Sequence, residues 1–160
     1  MTESAAPRDM PAQFAPVAAQ LQVGAQVVTA DVEFSRADLI RYAGASGDFN
    51  TIHWNERFAK EVGLDGVIAH GMLTMGAVIA PIVEWAGAPG AVLDYRTRFT
   101  APVLVPDASS GSPEQPTAFL TVIAKVGAID EDAKTVRLDI EVADGEAKVL
   151  GRTQAKVRVK

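Results

Sequence analysis

The chain contains two histidines, His53 and His70, and one of them closely follows a carboxylate. Asp48 precedes His53 by five residues, in a stretch that also contains Gly47 and Asn50. On a regular helix this spacing would turn the two side chains about 140° apart, so only a turn that bends back can bring both to one water molecule. A carboxylate and an imidazole that share a water can act as general acid and general base. The pattern therefore predicts acid–base chemistry, provided that the segment is a turn.

The same segment also has a purely structural interpretation. Residues 47–50 are typical of an Asx turn that links two helices. A Ser–His–Asp triad with Ser46 would lack the Gly-x-Ser-x-Gly context that such nucleophiles have. A zinc site is disfavoured because only His53 and His70 could supply nitrogen, and the short ligand spacing of zinc motifs is missing. We therefore expect no metal and no cofactor, and the catalytic and structural interpretations both stay open here.

A second chemical feature precedes the most apolar part of the chain. Ala69, His70 and Gly71 come directly before an apolar run that extends from residue 72 to 86. The first N–H groups of a helix lack intrahelical partners and carry partial positive charge, and a glycine there lets a ligand approach the backbone. The Gly71 N–H could hold a carbonyl oxygen that gains negative charge, although glycine also begins helices without any ligand.

Together these groups match the needs of one reaction class. Water addition to an α,β-unsaturated thioester needs a proton acceptor for water, a proton donor to C2 and a donor to the thioester oxygen. Asp48, His53 and the Gly71 N–H could supply all three without a metal or a cofactor.

The elements that would position these groups follow from hydrophobic periodicity. Alternation over residues 28–34 predicts a strand, and Ser35 begins a capping-box pattern for a helix. Asn55 could cap a second, short helix. The run 72–86 predicts a long helix that Pro81 should bend or divide. The polar turn between the two short helices therefore carries the candidate acid–base pair.

The remainder of the chain predicts strands in meander-like order. These strand patterns lie at residues 91–100, 117–126, 134–143 and 147–160. A helix that is apolar on nearly every face must be surrounded by protein, so the sheet should curl around it. The predicted fold class is α+β, with an antiparallel sheet wrapped around a long central apolar helix, the hotdog fold. An ordinary α+β sandwich would give a similar pattern.

Composition narrows the possible partners and locations. The 160 residues carry a formal net charge of −5, which disfavours nucleic-acid binding and adsorption to anionic membranes. The apolar run is too short and too interrupted to predict membrane insertion. The absence of cysteine fits the reducing cytoplasm, and the first residues show no secretion signal. We expect a disordered N-terminal extension over residues 1–22 and a single domain over residues 23–160.

Several stretches resemble one known family. Residues 42–53, followed after five residues by Ala59, resemble the signature of the MaoC-like (R)-specific enoyl-CoA hydratases and (3R)-hydroxyacyl-ACP dehydratases. Residues 63–76 and 96–103 also resemble that family, and the resemblance extends over residues 24–160. Within the family, the pattern is most similar to the catalytic B subunit of the actinobacterial type II fatty-acid synthase dehydratase.

The resemblance implies a fold, an activity and partners. It implies the hotdog fold, and a hydro-lyase that interconverts (3R)-hydroxyacyl and trans-2-enoyl thioesters in fatty-acid metabolism. The substrate would be an acyl-CoA or acyl-ACP thioester. The chain would form a homodimer, or a heterodimer with a related hotdog subunit.

The resemblance also assigns residues. It implies Asp48 and His53 as the catalytic dyad. The expected substrate-binding residues lie in the same turn or at the start of the apolar helix: Asn50, Ala69, His70 and Gly71. Asn50 would also support the turn. Thr51 departs from the pattern, because the family usually has proline there, so the turn should be less rigid.

Two other functions compete with this one. A hotdog thioesterase would use a carboxylate to direct water at the acyl carbon itself, and the Asp-x-Asn-x-x-His turn argues against it. A non-catalytic or partner-dependent acyl-binding subunit would lack part of the dyad, whereas Asp48 and His53 are both present. Basic side chains that could contact the carrier phosphates or an acidic carrier protein are Arg57, Lys60, Arg96 and Arg98, although most such charges are simply solvated.

Overall fold

A five-stranded antiparallel sheet and one long helix dominate the computed structural model, which describes residues 16–160. The helices and strands, in chain order, are β1 Gln26–Phe34, α1 Arg36–Ser46, α2 Glu56–Glu61, α3 Gly71–Ala86, β2 Val92–Phe99, β3 Ala118–Asp130, β4 Thr135–Asp144 and β5 Ala147–Arg158. Short 3-10 turns lie at Ala18–Gln20, Thr51–His53 and Pro89–Ala91.

The strand order β1-β3-β4-β5-β2 differs in one respect from the predicted meander. Strands β3, β4 and β5 pair in sequence, but β2 lies at the far edge of the sheet, beside β5. Helix α3 contacts both edge strands, β1 and β2. Strand β1 therefore takes the place beside β3 that a meander would give to β2, and the sheet curls so that both of its edges reach the helix.

Helix α3 buries one face rather than its whole surface. Its buried residues are Thr74, Val78, Ile82 and Ala86, which repeat every four positions and form one row along the helix. Met72 stays 59% exposed, and the other residues of the helix are half-buried or exposed. The expectation of a helix surrounded on all sides is therefore not met within one chain, because a single sheet covers only one face. Pro81 does not divide the helix, which is continuous.

Caps define the two short helices and leave a turn between them. Ser35 and Asp38 form the predicted capping box at the start of α1, which ends at Gly47 in the left-handed conformation (φ +77°). Asn55 accepts a hydrogen bond from the first turn of α2, and Gly63 (φ +89°) follows that helix. The polar segment between Gly47 and Asn55 is therefore fixed at both ends.

Two backbone hydrogen bonds join the first described residues to the segment that follows β5. The Ala18 N–H donates to the Lys160 carbonyl at 2.9 Å, and the Lys160 N–H donates to the Pro16 carbonyl at 3.0 Å. Pro16 and Ala18 are thus hydrogen-bonded to Lys160, which follows β5, and residues 1–15 of the expected N-terminal extension lie outside the described residues. Within residues 16–160, no helix is long and apolar enough to cross a bilayer.

Candidate active site

The turn between α1 and α2, residues 47–54, is held by two consecutive Asx-type hydrogen bonds. The Asn50 N–H donates to Asp48 Oδ1 at 3.1 Å, and the Ile52 N–H donates to Asn50 Oδ1 at 3.3 Å. Thr51 begins the 3-10 turn, which forms without proline. The Asx interpretation of this segment is therefore correct as local structure. The side-chain oxygen Oδ1 of Asn50, a predicted substrate-binding residue, is thus used inside the turn.

His53 is fixed as one tautomer by a backbone carbonyl. Its Nδ1 lies 2.8 Å from the Ile68 carbonyl oxygen. A carbonyl only accepts, so Nδ1 carries the proton and Nε2 is left as the acceptor nitrogen of the neutral ring. The Ile68 N–H in turn donates to the Ile52 carbonyl at 3.3 Å. The segment around Ile68 therefore holds the ring in a form that can take a proton at Nε2.

His70 links the two predicted catalytic residues. Its ring stacks on that of His53, with centroids 3.8 Å apart and planes inclined by 24°. Its Nε2 donates to the Asp48 backbone carbonyl at 3.1 Å. One carboxylate oxygen of Asp48 and one ring nitrogen each of His53 and His70 lie within 4.8 Å of one another. His70 itself is 1% exposed, so its contacts position the pair rather than reach a substrate.

Burial favours the neutral form of His70. The pKa of His70 is lowered, chiefly because burial disfavours the charged ring, and also because His53 lies against it. Its Nδ1 has no hydrogen-bond partner among the described residues. The Tyr42 ring packs on His70 with a centroid distance of 4.9 Å, which leaves little room for a solvation shell.

This lowered pKa predicts a pH-dependent stability. Below about pH 6.5, His70 binds a proton more readily in the unfolded chain than in the folded one, because its pKa is lowered on folding. Its contribution to the free energy of unfolding is therefore fully present above that pH and is lost as the pH falls. We expect the Tm to fall between pH 7.5 and 5.5. His70→Gln keeps an amide donor for the Asp48 carbonyl but cannot titrate, so its Tm should fall less over the same range. Parallel losses of Tm in both proteins would contradict this account.

An ion pair anchors the loop that carries Ile68. The Arg36 guanidinium contacts Glu56 Oε2 at 2.6 Å and holds the pKa of Glu56 below its ordinary value. Glu56 also accepts a hydrogen bond from the Val67 N–H. On the other side of the loop, the Ala69 N–H donates to the Val103 carbonyl oxygen at 2.8 Å. The loop before α3 is therefore tied on one side to α2 and on the other to the segment after β2.

A pocket of about 310 Å³ opens beside His53. The remaining residues that line it are mostly apolar: Ile68, Ala69, Gly71, Thr74, Phe99, Thr100, Ala101, Pro102, Val103, Val149 and Leu150. Two expected substrate-binding residues, Ala69 and Gly71, thus lie at the pocket. The pocket therefore lies beside His53, whereas Asp48 is not among the residues that line it.

Gly71 is the first residue of α3, where the N–H has no acceptor in the preceding turn of helix. A Cβ at this position would lie 3.1 Å from Cε1 of Phe99, whose ring covers the glycine. The Phe99 ring thus fills the space that a side chain at position 71 would take, and Gly71 lets this ring pack close to the backbone at the helix start, beside the pocket.

Sequence reasoning missed several supporting residues. Ile68 orients His53 through a backbone atom, which no side-chain pattern reveals. Thr74 is 2% exposed, lines the pocket and donates to the His70 carbonyl at 3.2 Å. Thr74 is the only hydroxyl in the apolar run, and that signal could have identified it. The position of the Phe99 ring over Gly71 was likewise not foreseen.

Asp48, His53 and His70 lie close together but form a poor metal site. A metal ion bound by both histidines must lie in both ring planes, about 2.0–2.1 Å from each nitrogen. Two stacked rings 3.8 Å apart do not offer such a point. In addition, His53 Nδ1 and His70 Nε2 are engaged with backbone carbonyls. The donor set suits proton transfer better than metal coordination.

Comparison with known proteins identifies the family. The MaoC-like domain profile matches residues 18–114. A 3-hydroxybutyryl-CoA dehydratase of Methylorubrum extorquens is 34% identical over 125 residues, which cover 73% of each chain. The chain belongs to the MaoC-like dehydratase family.

Two further relatives agree on the fold and the family. A solved MaoC-like dehydratase superposes with a TM-score of 0.83 and 33% identity, over 92% of this chain and 43% of that one. The 3-hydroxyacyl-thioester dehydratase X of Mycobacterium tuberculosis is 50% identical over 70 residues, 44% of this chain. The chain spans only 24% of the length of that mycobacterial protein. The predicted hotdog fold is confirmed, and the assignment to the B-subunit branch stays a prediction.

Proposed function

We propose that this chain catalyses reversible water addition to trans-2-enoyl thioesters, giving (3R)-hydroxyacyl thioesters, in cytoplasmic fatty-acid metabolism. One observation carries the proposal. The stack of His70 on His53, together with the hydrogen bond from His70 to the Asp48 backbone carbonyl, accompanies a side-chain oxygen of Asp48 within 4.8 Å of a ring nitrogen of His53, which lines the pocket. Two relatives named 3-hydroxyacyl-thioester dehydratase and 3-hydroxybutyryl-CoA dehydratase support this chemistry. The match covers 24% of the first and 73% of the second, so their activity is proposed for this chain.

The proposed mechanism uses one water held between Asp48 and His53. The pair removes a proton from the water as its oxygen bonds to C3, and returns a proton to C2. The thioester oxygen gains negative charge between these events and accepts a hydrogen bond from the Gly71 N–H. Proton count is conserved, so the pair ends as it began. The reverse sequence removes water from the hydroxyacyl thioester.

Ala69 and the apolar wall would hold the acyl chain, while His70 and Asn50 keep the turn in shape. This division differs from the initial expectation that Asn50 and His70 bind substrate. The side-chain oxygen Oδ1 of Asn50 accepts a hydrogen bond from the Ile52 N–H, and His70 is buried behind His53. We therefore assign both residues a positioning role.

The experiment that tests the function follows the product and the thiol in one reaction. Purified protein is incubated with crotonyl-CoA, loss of the enoyl absorbance is recorded, and free CoA is titrated in parallel. The proposal expects (R)-3-hydroxybutyryl-CoA without thiol release. Stoichiometric thiol release would instead establish a thioesterase. Binding without turnover would establish an acyl-binding subunit, in particular if a second hotdog chain restored turnover.

We propose that the chain pairs with a second hotdog subunit, either a copy of itself or a relative. Apolar residues stay exposed along α3 and on the contacting edge strand β2: Met72 on the helix, and Leu93 and Phe99 on the strand. Strand β2 also ends the sheet, so one row of its backbone groups is unpaired. Light scattering after size exclusion should give twice the monomer mass for the protein alone, or the mass of a one-to-one complex once a related hotdog subunit is added. A fully active monomer at assay concentration would contradict the pairing.

A further inference from the structure

Two segments outside the sheet pair with each other beside the active site. Backbone hydrogen bonds of 2.8 and 2.9 Å join residues 67–69 to residues 103–105, and Ile68 forms an antiparallel bridge with Leu104. We call residues 67–69 and 103–105 the loop ribbon. It carries the Ile68 carbonyl that accepts from His53 Nδ1, and it forms one wall of the pocket.

The turn and the start of α2 contact two adjacent residues of the loop ribbon. The Ile68 N–H donates to the Ile52 carbonyl at 3.3 Å, and His53 Nδ1 donates to the Ile68 carbonyl at 2.8 Å. Three residues after His53, Glu56 Oε2 accepts a hydrogen bond from the Val67 N–H at 3.4 Å. The orientation of the His53 ring therefore depends on where the loop ribbon lies relative to α2.

Arg36 connects α2 to the second segment of the loop ribbon. Its Nε donates to the Val105 carbonyl, and its Nη2 lies 2.6 Å from Glu56 Oε2. Its Nη1 lies 3.4 Å from Asp107 Oδ1. The Arg36 side chain is 13% exposed, and Val105 is fully buried. These contacts close a circuit from His53 through the loop ribbon and Arg36 to Glu56, and back along three residues of the chain.

We propose that Arg36 is a positioning residue for His53: it holds the loop ribbon against α2, so that the Ile68 carbonyl keeps the proton on Nδ1 and leaves Nε2 as the acceptor. A neutral histidine in water prefers the proton on Nε2. A ring that lost the Ile68 carbonyl would therefore become a donor at the nitrogen that must take the proton of water. The effect on turnover rests on the proposed function, whereas the effect on the tautomer of His53 does not.

The role requires an arginine because each of its side-chain nitrogens serves a different partner. A guanidinium donates in several fixed directions, whereas the ammonium of lysine is a point charge on a flexible stem. The same contact holds the pKa of Glu56 below its ordinary value, so the carboxylate stays charged. A partly buried ion pair adds little net stability, because both groups lose hydration. Direction, more than charge, distinguishes this pair.

Neighbouring cations make different contacts. Lys60, which the sequence offered as a contact for a carrier, lies 3.1 Å from the other oxygen of Glu56 with its side chain 59% exposed. Arg41, on the same helix as Arg36, contacts Glu114 at 2.6 Å and Asp38 at 3.2 Å. Arg41 thus also ties α1 to the connection between β2 and β3, but at a point outside the loop ribbon. It is therefore the matched control for Arg36.

The tautomer of His53 tests the proposal without reference to catalysis. Full-length protein with isotopically labelled histidine is observed by nitrogen NMR at alkaline pH, and the signals missing in His53→Asn assign the ring. We expect wild type to carry the proton on Nδ1. Arg36→Lys keeps the charge but cannot reach Val105 and Glu56 together, so a population with the proton on Nε2 should appear. Arg41→Lys should match wild type. The Nε2 form in wild type, or an unchanged tautomer in Arg36→Lys, overturns the proposal.

Glu56 supplies a second pair of variants that leaves the Arg36 side chain in place. Glu56→Ala removes the acceptor that Arg36 and Val67 share, and it should change the tautomer of His53 as Arg36→Lys does. Glu56→Gln keeps an acceptor oxygen at the same place and should restore the Nδ1 form. A purely structural role would lower the Tm of the alanine variant without moving the proton. The same tautomer in both Glu56 variants therefore contradicts the proposal.

Kinetics with crotonyl-CoA then connect the ring to turnover. Arg36→Lys and Glu56→Ala should lower kcat about tenfold, as expected for a misplaced catalytic group, and change KM less than about threefold. Arg41→Lys should keep wild-type kinetics. A raised KM with unchanged kcat would show that Arg36 only shapes the pocket wall, and it overturns the proposal. If wild type hydrates no enoyl thioester, the proposed function fails, and the tautomer measurement still decides the role of Arg36.

Discussion

His53→Asn lowers kcat/KM for crotonyl-CoA hydration by about 10²–10⁴-fold, and Asp48→Asn lowers it by a similar factor. Asparagine at position 53 places an amide nitrogen where Nδ1 now donates to the Ile68 carbonyl, but it removes Nε2. Asparagine at position 48 keeps an oxygen for the Asn50 N–H, but it removes the charge. Each substitution deletes the acid–base function and preserves the turn, so the loss should appear in kcat. Steady-state kinetics on both variants measure it.

A matched control tests whether the loss of any one aspartate charge, rather than that of Asp48, lowers the activity. Asp144→Asn makes the same change in the hairpin between β4 and β5, where asparagine suits the turn, and should retain wild-type activity. Thermal unfolding should give all three variants a Tm close to that of wild type. Retention of more than half of the activity by either site variant would show that the pair is not the acid–base machinery.

Gly71→Leu is expected to lower kcat/KM by about 10²–10³-fold, the effect of losing one oxyanion donor. A leucine side chain at the first residue of α3 would push the Phe99 ring out of place and fill the space next to the N–H to which the thioester oxygen is proposed to bind. The Phe99 ring is 54% exposed and can move outward, so the helix should still form. Kinetics with crotonyl-CoA, accompanied by circular dichroism, test this expectation.

A double variant distinguishes a blocked amide from a displaced ring. Gly71→Ala brings a Cβ to within 3.1 Å of Phe99, and Phe99→Ala removes that conflict. If access to the N–H matters, Gly71→Ala/Phe99→Ala stays impaired relative to Phe99→Ala alone. Full activity in Gly71→Leu would remove the Gly71 N–H from the mechanism.

Much of the architecture was predictable because it follows from local patterns. The capping box at Ser35, the Asn55 cap and the extent of α3 are set by residues a few positions apart. The position of β2 beside β5 was not predictable, since strand alternation gives each strand's faces but not its neighbours. The one-sided burial of α3 likewise depends on how much of the helix a single sheet covers.

Of the candidate site, only the proximity of Asp48 and His53 could be predicted from the sequence. The spacing and turn chemistry of Asp48 and His53 pointed to a shared water, and the structure brings them together. The reason they meet lies elsewhere, in the His70 ring and the Ile68 carbonyl, which are 15 to 22 residues from their partners. Such contacts arise from tertiary packing, and the sequence offered no periodicity from which to infer them.

The most direct test of the central claim is kcat/KM for the double variant Asp48→Asn/His53→Asn, compared with the two single variants. Two groups that act on one water fail together, so the double variant should fall no more than about threefold below the weaker single variant. If the two losses multiply instead, Asp48 and His53 work independently, and the shared-water mechanism is wrong.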